Sequence, residues 1–131
     1  MIYVSCPCHS SKTFAKCCQP FLSGQAKART VTQLMRSRYC AFALGEHGDY
    51  LYRTWHPASR GTLQPVDLDL RTVNWTNLEV LQSQQSANAG SVEFKALFSQ
   101  QDGSTGSHHE ISTFIRDKGL WLYRDGQQIE D

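Results

Sequence analysis

At 131 residues, 40% of them hydrophobic, the chain supports one compact core with a small satellite, and no apolar run approaches membrane-spanning length, which excludes insertion in a bilayer as a helix. A formal net charge of +1 hides an asymmetry: Lys12, Lys16, Lys27, Arg29, Arg36 and Arg38 all precede Glu46, the first acidic residue. This basic stretch lacks the interleaved aromatics of a base-stacking platform, so nucleic acid is disfavoured as a partner, and the absence of a secretory signal points to the cytoplasm.

The first element is a cysteine cluster. Cys6-Pro7-Cys8 is followed after eight residues by the adjacent pair Cys17-Cys18. Thiols this close match the all-sulfur tetrahedral chemistry of structural zinc, in which thiolates fill the coordination shell and leave no position for a reactive water. Iron is the other metal that a thiolate-only site accepts. Disulfides compete poorly, because vicinal cysteines bridge each other only with strain. A knot of cysteines among Pro, Ser and Lys is not core composition either. Cys40, by contrast, lies in an apolar helical stretch and reads as an ordinary small core residue.

Residues Cys6 to Cys18 resemble the SEC-C motif, best known from the C-terminal tail of the SecA preprotein translocase motor. The resemblance implies that Cys6, Cys8, Cys17 and Cys18 are all metal ligands. It also implies that residues 1–24 dock a protein partner, an export chaperone of the SecB type or the ribosome. His9 and Ser11 stand where that family usually carries glycines, so the turn is not carried over by the resemblance. His9 is a weak competitor for the metal, since four thiolates already complete the shell. Lys12 and Lys16 either offset the charge of about −2 on a four-thiolate zinc centre or form a basic face for an acidic partner. Phe14, between them, is either the miniature core of the module or an apolar anchor.

Gln19-Pro20-Phe21-Leu22-Ser23-Gly24 closes the module with Pro and Gly punctuation, which sets a boundary near residue 24 and a larger domain over 25–131. With so few apolar residues the module is expected to depend on its metal and to unfold on chelation while the larger domain stays folded. A helix is predicted from Val31 to about Leu44: Val31, Leu34, Met35 and Phe42 share one face, Thr30 or Thr32 is the cap, and Gly45 ends it. Arg38 falls about 20° from Val31 and about 40° from Phe42 on that face, at 100° per residue. Either its stem lies along the core and its head reaches the surface, or it enters a polar interior and meets Glu110, Glu93 or a bound anion. A second helix over Gly48 to Trp55 stops at His56-Pro57, because the residue before proline disfavours the helical region.

After Pro65 the pattern changes to strands, at Asn74–Gln84, Gly90–Gln100, Ser107–Asp117 and Leu120–Asp125, separated by short turn-rich connections that imply antiparallel neighbours. Val92, Phe94, Ala96 and Phe98 share one face of the second strand. In the third, Glu110, Ser112 and Phe114 oppose His109, Ile111, Thr113 and Ile115. Both faces are partly apolar, so one covers a helix and the other is left for a partner. Helices followed by a strand meander predict an α+β domain with helices on one face of a curved antiparallel sheet.

Leu34 to Phe42, then Tyr50-Leu51 and Thr54-Trp55-His56-Pro57, resemble the YchJ-like family, with further agreement at Glu110, Phe114, Gly119, Trp121, Tyr123 and Asp125-Gly126. The resemblance implies a SEC-C motif joined to a cone-shaped nuclear transport factor 2-like (cystatin-like) domain. Many relatives carry a second SEC-C motif at the C-terminus where this chain ends at Asp131, which weakens a metal-bridging role. The same fold serves isomerases, dehydratases and noncatalytic binding domains, so the fold alone does not choose. Arg38, Tyr39, Trp55, His56, Glu93 and Glu110 supply the types that a pocket for a small ligand needs, and His56 with a carboxylate could transfer protons. Each has a plainer reading. Trp55 serves the core, an imidazolium at His56 suits a helix C-terminus, and Glu93 and Glu110 sit on a wet sheet face. His108 and His109 point to opposite faces of a strand and do not readily ligate one metal together. The resulting expectation is a metal-binding adaptor or binding protein, with a small isomerase- or dehydratase-like enzyme as the alternative.

Overall fold

The computed structural model describes residues 4–69, 71 and 73–130. Four helices, α1 (Gln19–Leu22), α2 (Val31–Leu44), α3 (Gly48–Arg53) and α4 (Pro57–Arg60), precede four strands, β1 (Asn74–Ser86), β2 (Ala89–Ser99), β3 (Thr105–Asp117) and β4 (Leu120–Gln128). The strands form one antiparallel sheet in the order β1-β2-β3-β4. Register shifts in β1 at Trp75/Asn77 and Val80/Gln82, and in the β3–β4 pair at Thr113/Phe114, bend the sheet, since each bulge adds local twist. The four strands lie where alternation predicts them; β1 and β4 run past their predicted C-terminal ends, β3 begins earlier, and β2 is shifted back by one residue at each end.

The sheet folds around α2. Thr30 caps the helix by accepting from the Gln33 N–H, and Gly45, at φ +75°, ends it. Buried Val31, Leu34, Met35, Tyr39, Cys40 and Ala41 of α2 share a core with Leu51, Leu78, Val92, Phe94, Ala96, Phe114 and Trp121. Phe42, predicted for that core, is 37% exposed at its margin. The chain past His56-Pro57 re-enters a helical turn, α4, which the sequence pattern does not signal. Proline suits the first turn of a helix, and the His56 ring Nδ1 caps it by accepting from the Ala58 N–H. His56 therefore caps a helix N-terminus through a lone pair, the opposite of the imidazolium role expected for it.

The cysteine segment packs against the main core. Cys6, Cys8, Cys18 and Leu22 are buried together with the α2 and sheet residues. The Arg36 guanidinium donates to the Cys8 carbonyl at 2.7 Å, and Arg53 donates to the Leu22 carbonyl at 3.3 Å, which ties the segment to α2 and α3. No helix among the described residues is long and apolar enough to cross a membrane.

Candidate functional site

Two sites flank α2, and the first is the cysteine cluster. A short antiparallel bridge pairs Ser5 with Thr13, and the Cys6 N–H donates to the Lys12 carbonyl, folding the chain back so that Cys6 and Cys8 face Cys17 and Cys18. His9 and Ser11 adopt φ of +62° and +74°, so the turn keeps the left-handed geometry natural to glycine although neither residue is one. The four sulfurs lie within 4.8 Å of one another. A tetrahedral ion with metal–sulfur bonds of about 2.3 Å would set its sulfurs about 3.8 Å apart. Cys17–Cys18 at 3.8 Å and Cys8–Cys17 at 3.6 Å fit that edge. The four cysteines therefore suit a metal ion, and their thiolate chemistry would supply a closed structural clamp.

Cys40 is more than a small core residue. Fully buried on α2, it places its sulfur 3.5 Å from that of Cys6. Hydrogen bonding from Cys18 first and Cys40 second lowers the Cys6 thiol to about 6 and holds Cys8 far below the ordinary thiol range. The Ser10 hydroxyl lies 3.1 Å from the Cys17 sulfur. His9 is exposed, with its ring edge-on to Tyr39 and outside the sulfur group. Phe14 is half-buried against the core, while Lys12 and Lys16 are exposed on either side of it.

On the other side of α2, between helix and sheet, lies a cavity of about 310 Å³. Arg38 enters it at 5% exposure. Its Nη1 donates to the Leu51 carbonyl at 2.8 Å and the Thr54 hydroxyl at 2.7 Å, and its guanidinium carbon lies 5.2 Å from the Trp55 ring centroid and 4.7 Å from that of Tyr123. Neither carboxylate proposed as its partner pairs with it: among the described residues Arg38 has carbonyl, hydroxyl and π-face partners instead. Such contacts stabilise a desolvated cation by about 2 kcal/mol for the ring interaction alone. Burial lowers the guanidinium to about 10, with Tyr123, Tyr50 and Glu110 partly opposing it, so it stays charged at neutral pH. Trp55 is held in place because it bridges to Tyr123 of β4, where the His56 N–H donates to the Tyr123 carbonyl at 2.7 Å.

Glu110 stands on the inner face of β3, not on the wet face. His108 Nε2 meets its Oε1 at 2.8 Å, and its Oε2 accepts from the Ser112 hydroxyl and, at 3.4 Å, from Tyr123. Burial is the largest influence and pushes this carboxyl up, but the hydrogen bonds from His108, Ser112 and Tyr123 outweigh it and hold it below the ordinary carboxylate value. Gly126 leaves the space: a Cβ there would come within 2.5 Å of the Glu110 carboxylate and 2.6 Å of the Tyr123 hydroxyl.

Of the six pocket candidates, Arg38, Tyr39, Trp55 and Glu110 line this cavity. His56 and Glu93 do not. His56 is spent on the α4 cap, and Glu93 faces outward because it pairs across the sheet with Ile111 and meets His109 Nε2 at 2.8 Å. Sequence reasoning passed over His108, Ser112 and Tyr123. Strand parity carried the signal for two of them: His108, Glu110 and Ser112 alternate in phase with the core residue Phe114. Polar residues at core-facing positions mark a lined cavity.

With that geometry in view, comparison with known proteins places the chain. Residues 30–126 match the model for the middle, NTF2-like domain of YchJ. The chain belongs to the YchJ-like family. Its curated relatives include the UPF0225 protein of Streptomyces coelicolor, 43% identical over 95% of this chain and 96% of the relative, and one from Sodalis glossinidius, 41% identical over 95% and 83%. A solution structure of a SEC-C motif containing protein from Rhodopseudomonas palustris superimposes with a TM-score of 0.87 at 34% identity, covering 97% of this chain and all of that one. A protein described as a candidate Ca/calmodulin-dependent kinase II association domain, from Exiguobacterium sibiricum, shares the fold alone, with a TM-score of 0.56 at 12% identity over 78% of this chain and 92% of that one. The YchJ-like chain is thus an α+β protein with an NTF2-like domain and a cysteine group suited to a metal.

Proposed function

We propose that this YchJ-like chain is a binding protein whose NTF2-like cavity receives a small molecule and whose cysteine cluster holds zinc as a structural clamp. What carries the reading is the cavity: it is walled by Met35, Phe94 and Trp75 yet lined by the buried cation Arg38, whose hydrogen bonds leave through Nη1 alone. Buried polar groups are almost always satisfied, and an apolar pocket with a few converging polar groups is the usual form of a small-molecule site. A ligand-observed NMR screen of one- and two-ring molecules tests this. Binders should be found and should be lost in Ala96→Leu, which projects a larger side chain into the cavity. An empty screen, or binders indifferent to that change, contradicts the reading.

Docking of the cysteine module on an acidic protein surface, such as an export chaperone or the ribosome, is supported by the exposed Lys12 and Lys16 beside the cluster. Phe14 contributes less than an anchor would, because it is committed to the core. Lys12→Glu with Lys16→Glu should weaken partner capture at unchanged metal content; capture retained at physiological salt removes this half of the proposal.

The His108–Glu110 pair favours a second reading, a small isomerase- or dehydratase-like enzyme, since an imidazole oriented by a buried carboxylate can move a proton. Deuterium exchange next to the carbonyl of 2-tetralone is the test. Acceleration that disappears in His108→Ala supports catalysis, and no acceleration over buffer excludes it for this type of substrate.

A further inference from the structure

Resting on the cavity reading above, we propose that the ligand is a carboxylate, or a closely similar oxyanion, carried on a flat apolar body of one or two rings. The hydrogen-bonding capacity left unused in the cavity belongs to Arg38, which lines it. A guanidinium has five N–H donors and no acceptor, so what it lacks is acceptors. Arg38 makes both of its hydrogen bonds through Nη1. With aromatic rings over the guanidinium, the in-plane edge formed by Nε and Nη2 keeps donor capacity, and that edge suits the planar geometry of a carboxylate.

Glu110 does not reverse this preference. Its Oε1 is engaged by His108, and its Oε2 by Ser112 and Tyr123. The negative group in the cavity is thus already satisfied, while the positive group keeps unused donors. A cationic ligand would meet Arg38 as a like charge, whereas an oxyanion pairs with its in-plane edge. The rest of the wall is apolar and aromatic, with Tyr39 and Trp75 tilted against each other at 6.2 Å and Phe94 beside His108, which favours a flat ring body over a sugar or a peptide. A volume of about 310 Å³ sits at the small end of ligand pockets, which run from roughly 300 to 1,000 Å³.

Amide-resolved NMR titration of the zinc-loaded protein with 2-naphthoate and with 2-naphthylmethylamine, matched in body and opposite in charge, is the test. The naphthoate should shift resonances around the cavity and bind about tenfold more tightly than the amine, the effect of one charge-assisted hydrogen bond. Arg38→Lys, which keeps the charge and loses the planar fork, should weaken naphthoate by about three- to tenfold, and Arg38→Gln should abolish the preference for naphthoate over the amine. If the amine binds the wild type equally well, or both variants bind naphthoate normally, the oxyanion assignment is wrong although the cavity still binds ligands. If neither probe perturbs the cavity resonances, the binding-protein reading fails with it.

Discussion

Individual residues in this protein are held by local conflicts that a folded context resolves. Ser11 adopts a left-handed φ of +74° without being glycine, so Ser11→Gly should raise stability by roughly 0.5 to 1 kcal/mol, measured as an upward shift of the urea midpoint at fixed metal loading. No gain, or a loss, would show that the serine side chain offsets its own strain. Glu110 predicts a pH dependence. Its folded carboxyl titrates below the unfolded value, so on acidification the unfolded chain takes up the proton first. The stability it contributes is complete above the ordinary carboxylate value of about 4.3 and is lost as pH falls through the lower folded value. The gap in urea midpoint between wild type and Glu110→Gln should therefore close as pH drops from neutral towards 3, and a gap constant with pH contradicts the hydrogen-bonded role. Arg38 was legible because helical periodicity puts a charge on a buried face, where it must find acceptors. Its partners were not, because main-chain carbonyls and ring faces leave no trace in a charge pattern.

Elements are positioned by a few close approaches that only small residues permit. Gly48 opens α3 with its N–H on the Asp69 carboxylate at 2.7 Å, and a Cβ there would collide with the Pro65 carbonyl and approach the Asp69 carboxylate. Gly48→Ala should cost roughly 2 to 4 kcal/mol in unfolding free energy, because backbone and not a flexible side chain must move. An unchanged denaturation midpoint would mean that the turn relaxes freely. The strands were readable from alternation and from Gly- and Asp-rich connections, and α2 from its cap, apolar face and terminal glycine. The one-turn helix α4 was not, because four residues carry no periodicity and His56-Pro57 reads as an ending. Whether a polar residue such as Glu110 or Glu93 faced the interior depended on strand phase: Phe94 and Phe114 fix the inner face, which puts Glu110 inside and Glu93 outside.

At the scale of the whole molecule, α2 separates and joins the two sites. Arg36 and Cys40 contact the cysteine segment, while Arg38, Tyr39 and Met35 wall the cavity. Sequence punctuation near residue 24 suggested an independent satellite. Cys6, Cys8, Cys18 and Leu22 nevertheless pack into the main core, and such long-range burial cannot be seen in a segment with few apolar residues. Chelation under reducing conditions should thus lower the thermal midpoint of the entire chain and speed amide exchange along α2 as well as in the cysteine segment. Unchanged protection of α2 would restore the satellite picture. The most direct single measurement is a crystal structure of the metal-loaded protein grown with 2-naphthoate. The expected result is an ion bound by Cys6, Cys8, Cys17 and Cys18 at about 2.3 Å and the probe in the cavity with its carboxylate on Arg38. A cavity filled by repacked protein side chains, with the probe absent or bound elsewhere, would contradict it.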